Sequence, residues 1–163
     1  MDFNMNRAFI AILFALLFIT IGWVAPVTYA AYAPQDHFIE QNEFVAEDAT
    51  TEDSSHMVCF DRNVKQPTSS ELFIELYLVN GETGNQIEVD SRTRDRYFQE
   101  GQTVVETDFT LPDHIEAGTY QYMVVAKVEL AQGRAQREFI FESEKFNITE
   151  GEPSNTTTAD FSC

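Results

Sequence analysis

Positive charge is scarce in this chain of 163 residues. Ten lysines and arginines stand against 27 acidic residues, for a formal net charge of −17. Such a surface repels DNA, RNA and anionic lipid headgroups, so no nucleic-acid partner is expected; its ordinary role is solubility, including in salt. Cysteine is scarcer still. Cys59 and Cys163 are the only two, with no Cys-x-x-Cys, which excludes a disulfide-dense scaffold and gives no sign of a redox dithiol. The three histidines, His37, His56 and His114, have no zinc-site spacing and fall in loop-like sequence, so they read as exposed loop residues. No phosphate loop, dinucleotide fingerprint, Gly-x-Ser-x-Gly elbow or calcium loop occurs. Asp90, Asp95, Glu142 and Glu144 fall short of the six to eight oxygens calcium takes. The chain is therefore expected to have no catalytic residues, no metal and no cofactor.

What the sequence does hold begins with an unbroken apolar run, AFIAILFALLFITIGWVA, from Ala8 to Ala25. With Pro26, Val27 and Thr28 it approaches the roughly 20 residues that cross a bilayer. Trp23, Tyr29 and Tyr32 flank its outer end as interfacial aromatics do. Two readings stay open. The length favours a retained anchor, whereas Thr28-Tyr29-Ala30 offers the small residues of a signal-peptide cleavage site, with Pro26 expected to break the helix. Both put residues 1–30 at the membrane and export the acidic remainder.

Residues 31–56 are rich in Glu, Asp, Gln, Asn and Thr, with Phe38-Ile39 and Phe44-Val45 as isolated apolar pairs. They read as an acidic stalk, able to reach about 85 Å fully extended; the alternative is an extra edge strand near residues 38–45. Residues 57–148 change texture. Short apolar runs alternate with period 2: Leu72, Ile74, Leu76 and Leu78 share a face, as do Val105, Thr107, Phe109 and Leu111, and Tyr120, Tyr122, Val124, Ala126, Val128 and Leu130. Residues 80–85, Asn-Gly-Glu-Thr-Gly-Asn, read as a turn with both glycines at positive φ. Residues 136–141 return as a hairpin strand after residues 131–135, and residues 149–163 read as a mobile tail. Fourteen Phe and six Tyr supply the core. The expected fold class is all-β, an antiparallel sandwich of six or seven strands preceded by one N-terminal transmembrane or signal helix.

The segment Leu111-Pro112-Asp113-His114-Ile115-Glu116-Ala117-Gly118-Thr119-Tyr120 resembles the corner entering the sixth strand of immunoglobulin-like and fibronectin-like sandwiches. There a tyrosine early in the strand bonds back across the corner, the role the resemblance gives Tyr120. The likeness covers residues 57–148 at the level of fold and implies no active site. In layout the chain resembles small membrane-anchored proteins of bacteria or their viruses. The paired cysteines and core tryptophan of antibody domains are missing, since Trp23 lies in the apolar run.

Two sets of residues stand out as candidate sites. Cys59 and Cys163 suit one intramolecular disulfide in an oxidising compartment, with an intermolecular bond as the alternative. Arg92, Arg94 and Arg96 recur at every second position, so a strand lines them on one face. They read either as a docking stripe for an acidic, phosphate-bearing or carboxylated partner, or as cross-strand partners of Glu106 and Asp108. The sequence points to a membrane-tethered extracytoplasmic module, non-catalytic, with a protein or glycan partner. Recognition is expected at the arginine stripe and at loops 81–85 and 131–135. The alternative is a secreted or surface-assembled structural subunit cleaved after Ala30.

Overall fold

The computed structural model describes residues 3–53, 55–66, 72–94, 100–130 and 134–151. Among these residues one apolar helix, α1 (Phe3–Tyr32), leads into a 3-10 turn (Gln35–His37) and nine strands: β1 (Ile39–Ala46), β2 (Ala49–Thr50), β3 (Ser55–Val64), β4 (Leu72–Asn80), β5 (Gln86–Arg94), β6 (Gly101–Thr110), β7 (Gly118–Leu130), β8 (Ala135–Glu142) and β9 (Phe146–Thr149). One sheet has the order β1-β3-β6. The other runs β2-β9-β7-β4-β5, with β8 on the same edge of β7 as β9. All pairs are antiparallel except β2 with β9, which is parallel, so the second sheet is mixed.

Residues 31–56 do not run as a stalk. They carry the 3-10 turn, β1, β2 and the start of β3. Phe38, Ile39 and Phe44 are buried in the core, because burying those rings outweighs the polarity of the residues between them. The register shift between Gln41 and Glu43 makes this possible. Ile39 and Phe44 are five apart, which would put them on opposite faces of a regular strand, and the irregularity brings both inward.

The inner faces of the two sheets meet in one core. Phe60 of β3 lies 5.2 Å from Phe141 of β8, and Phe109 of β6 lies 5.8 Å from Tyr122 of β7, centroid to centroid. The alternation read in β7 holds: Tyr120, Tyr122, Ala126, Val128 and Leu130 are buried and Val124 packs against them. Leu76 and Leu78 of β4 are likewise buried. At the turn after β4, Gly84 has φ +71, whereas Gly81 does not take positive φ. Gly81 is needed for close approach instead: a Cβ there would sit 3.1 Å from the Thr119 carbonyl oxygen, to which its own N–H donates at 2.7 Å.

His56 is not a loop residue. It lies in β3, 3% exposed, with its ring 4.7 Å from that of Phe146 and 5.6 Å from that of Tyr122. Nδ1 is 2.9 Å from the Tyr122 hydroxyl and Nε2 bonds the Glu47 carbonyl. A carbonyl can only accept, so Nε2 carries a proton, and the hydroxyl donates to a neutral Nδ1. Burial lowers the His56 pKa, partly offset by its bond to Glu47 and by Asp53 and Asp48 nearby. Burial likewise raises that of Tyr122.

Tyr120 does bond back across its corner, its hydroxyl donating to the Glu116 carbonyl at 2.9 Å. Tyr120→Phe is expected to cost about 1 kcal/mol, the net worth of one such bond. Chemical denaturation measures this, and an unchanged midpoint would show that the corner does not depend on the hydroxyl.

Candidate functional site at the helix junction

Among the described residues, polar and aromatic contacts concentrate where α1 meets the β-rich body. The last turn of α1 and the residue that follows it present Ala30 and Ala33, 3% and 8% exposed, to the domain. Their small side chains let the helix approach β8 closely. An α-helix ends with carbonyls that have no partner in the helix. Here Arg137 supplies the donor: Nη1 bonds the carbonyls of Ala30, at 3.3 Å, and of Ala33. The same guanidinium lies 5.8 Å from the Phe38 ring centroid and 5.4 Å from that of Phe139. Charge near a helix C-terminus is favourable for a cation, and the two rings add cation–π attraction.

Around this clamp the junction is tied at several further points. The Gln35 side chain binds the backbone of Ile140 twice, donating to its carbonyl at 3.0 Å and accepting from its N–H at 3.1 Å. Gln41 donates to the Glu142 carbonyl at 2.9 Å. These amides occupy positions that a neighbouring strand would otherwise take, which closes the edge of β8. Tyr29 packs on Phe38 at 5.7 Å and its hydroxyl lies 3.2 Å from Nδ1 of His37. Lower on the helix, the Arg134 guanidinium sits 5.1 Å from the Trp23 ring centroid.

Below the junction the helix is bare. Residues 8–32 form a span of 25 residues with mean hydropathy 2.6 and none of its most apolar window buried. α1 runs through Pro26 without breaking; proline forgoes one bond to the preceding turn and its ring crowds that turn's carbonyl, a cost that spanning helices absorb by local adjustment. The hydroxyls of Thr20 and Thr28 bond back to Leu16 and Val24, each at 2.9 Å, so they present no unpaired polar group to an apolar surrounding.

The arginines singled out by sequence are separated from their expected partners. Arg92 and Arg94 occupy positions across from Ile74 and Leu72 on β5, an edge strand; Arg96 lies outside the described residues. Glu106 and Asp108 are on β6, which pairs with β3 in the other sheet. Arg92 and Arg94 therefore do not stand across a shared sheet from Glu106 and Asp108. Loop 81–85 lies by the start of β7, whereas Leu130 and Ala135, which bound the other loop, lie at its far end; residues 131–133 are outside the described residues. Cys59 is fully buried in β3 and disulfide-bonded; Cys163 lies outside the described residues. The residue that sequence reading missed is Arg137. Its signal was there: it alternates with Ala135, Phe139 and Phe141 on the inner face of β8.

An open groove at the far end is lined by Glu52, Ile115, Glu116 and Glu150. Among the described residues, no three His, Cys, Asp or Glu side chains are grouped to hold a metal ion.

Arg137→Ala is expected to leave the two carbonyls short of a donor at a buried junction, costing about 1–3 kcal/mol. Thermal unfolding of the full chain in detergent reads this out. A melting temperature equal to that of the parent would mean that the clamp contributes nothing to holding the helix.

No protein-family model matches the chain, and no curated protein matches it. Among solved structures, a β-glucosidase from Kluyveromyces marxianus in complex with glucose aligns at a TM-score of 0.30 with 15% identity. The alignment covers 64% of this chain and 14% of that enzyme, and a likeness at that level carries no argument about fold or activity.

Proposed function

We propose that this protein is a membrane-tethered, extracytoplasmic β-sandwich of immunoglobulin-like type that acts as a non-catalytic binding or structural module. The observation that carries the proposal is the exposed apolar span of residues 8–32 fastened at its end into the domain by Arg137. At 1.5 Å per residue, the stretch from 8 to 29, before the buried Ala30, reaches about 33 Å, enough for the roughly 30 Å hydrocarbon core of a bilayer. Left in water, that surface is a large unpaid hydrophobic cost, which insertion removes. The strand order supports the immunoglobulin-like reading. Of the seven longer strands, the first, second and fifth share one sheet and the third, fourth, sixth and seventh share the other. Tyr120 contributes the bonded corner.

The acidic loops farthest from the helix are the surface such a tether presents outward, and a protein or glycan partner would meet them there. Alkaline extraction of membranes and external protease treatment of intact cells test the reading together. The expected result is a chain that resists extraction and loses its domain to the protease. A chain released by alkali, or shielded until the membrane is opened, would overturn tether and orientation respectively.

The alternative, a secreted or surface-assembled subunit cleaved after Ala30, rests on the small residues at Thr28-Tyr29-Ala30. In the folded chain that peptide is helical and buried, with its carbonyl held by Arg137; a signal peptidase acts during export, before this junction folds, so the mass of the exported chain separates the two readings.

A further inference from the structure

Asn147 opens an Asn-Ile-Thr sequence, with no proline between the amide and the hydroxyl residue. That pattern accepts an N-linked glycan in exported proteins. It is short enough to recur by chance, so the surroundings decide whether it can serve. In β9 the apolar Phe146 and Ile148 are buried in the core, and Asn147 and Thr149 between and after them are exposed on the outer face of the sheet. Asn147 stands across from Thr119 of β7, whose hydroxyl donates to Asn147 Oδ1 at 3.1 Å. The Asn147 backbone N–H donates to an Asp48 carboxylate oxygen at 2.7 Å. The backbone and the carbonyl half of the amide are thus held in place, whereas Nδ2 has no hydrogen-bond partner among the described residues.

The other described asparagines of the β-rich body differ. Asn42, Asn63, Asn80 and Asn85 have no serine or threonine two residues on. Nδ2 of Asn42 donates to Asp61 at 3.3 Å, and Oδ1 of Asn80 accepts the N–H groups of Glu82 and Thr83 in the turn after β4. Position along the fold is the second observation. Thr119 and Val128 are nine residues apart on β7, about 30 Å at the rise of a strand, and they stand across from Asn147 and Arg137 respectively. The acceptor amide therefore lies far along the β-rich body from the clamp that holds α1.

Resting on the extracytoplasmic orientation proposed above, we propose that Asn147 is a glycosylation site, taking an oligosaccharide from a polyprenyl-phosphate-linked donor on the exported side of the membrane. In the transfer, Asn147 Nδ2 bonds to the anomeric carbon of the first sugar. The bond from that carbon to the lipid phosphate oxygen breaks, the phosphate leaves with the electron pair, and the amide nitrogen gives up one proton. Transfer meets the chain during export, and the fold then accommodates the product. The substituted amide keeps Oδ1 for Thr119, and the sugar leaves from an exposed face without displacing a core residue.

The test uses the full chain recovered from its native host, mapped by mass spectrometry after cleavage with a glutamate-specific protease. Glu144 and Glu150 bracket the site, so cleavage isolates residues 145–150 from the second Asn-x-Thr sequence at Asn155. The expected result is a carbohydrate mass on Asn147 in the parent. It is lost in Asn147→Gln and in Thr149→Val, and retained in Thr149→Ser, which keeps the hydroxyl. A bare Asn147 in parent chain that resists alkaline extraction and is open to external protease would overturn the glycan while leaving tether and orientation standing. A bare Asn147 in chain shielded from the protease would overturn both. Carbohydrate on Asn147 of a chain cut after Ala30 would support the site and remove the tether.

Discussion

Phe139→Ala is expected to destabilise the protein by about 3–5 kcal/mol, the usual cost of truncating a buried phenylalanine. Phe139 is fully buried, stacks on Phe38 at 5.8 Å, and supports the Arg137 guanidinium from below at 5.4 Å. Removing its ring therefore opens a cavity and takes away one wall of the clamp that holds α1. Against the roughly 5–15 kcal/mol that stabilises a typical domain, that loss is a large fraction. Ile140→Ala is the control: the next residue on β8 is 50% exposed on the outer face, and such surface changes usually stay within about 0.5 kcal/mol. Urea unfolding of the full chain in detergent compares the two. Equal losses from both would contradict the assignment of the inner face of β8.

Acidification through the histidine range is expected to weaken the fold by way of His56. Its folded pKa lies below the ordinary value of 6.5, so between those two values the unfolded chain binds a proton that the native chain does not. The contribution is fully present above pH 6.5 and is lost as pH falls through the folded pKa. Within that window each pH unit removes about 1.4 kcal/mol. His37 and His114 are exposed. Burial and the nearby Asp108 raise the pKa of Glu47, whose carbonyl His56 bonds, and relief of repulsion among carboxylates on acidification acts in the opposite direction. The informative quantity is thus the difference between parent and His56→Gln. Glutamine is expected to flatten the slope just below pH 6.5 at some loss of stability at pH 8. A slope unchanged in the variant would mean that His56 is not the responsible group.

The β-rich body and the apolar helix could be read from the sequence because local pattern and tertiary role agree there. In β4 and β7 the period-2 apolar positions are the buried ones, and Tyr120 makes the bond its corner implies. The stalk was misread because the irregularity between Gln41 and Glu43 breaks the alternation that would have announced β1. His56 was misread by residue type, although its spacing from Val58 and Phe60 placed it on the inner face of β3. The expected pairing of Arg92 and Arg94 with Glu106 and Asp108 across one sheet failed for a different reason. It assumed that consecutive strands are neighbours, whereas the chain changes sheets between β5 and β6. The junction itself combines Ala30, Ala33 and Arg137, residues more than 100 positions apart, and no local pattern encodes such a contact.

The central claim is that α1 is retained and built into the domain it carries. Intact mass of the chain recovered from the membrane fraction of its native host, before and after reduction and thiol alkylation, tests it most directly. The account predicts a full-length mass beginning at the N-terminal methionine or the residue after it, monomeric, with both cysteines blocked from alkylation until reduced. A mass beginning at Ala31 in a soluble or surface fraction, above all as a disulfide-linked dimer, would contradict it.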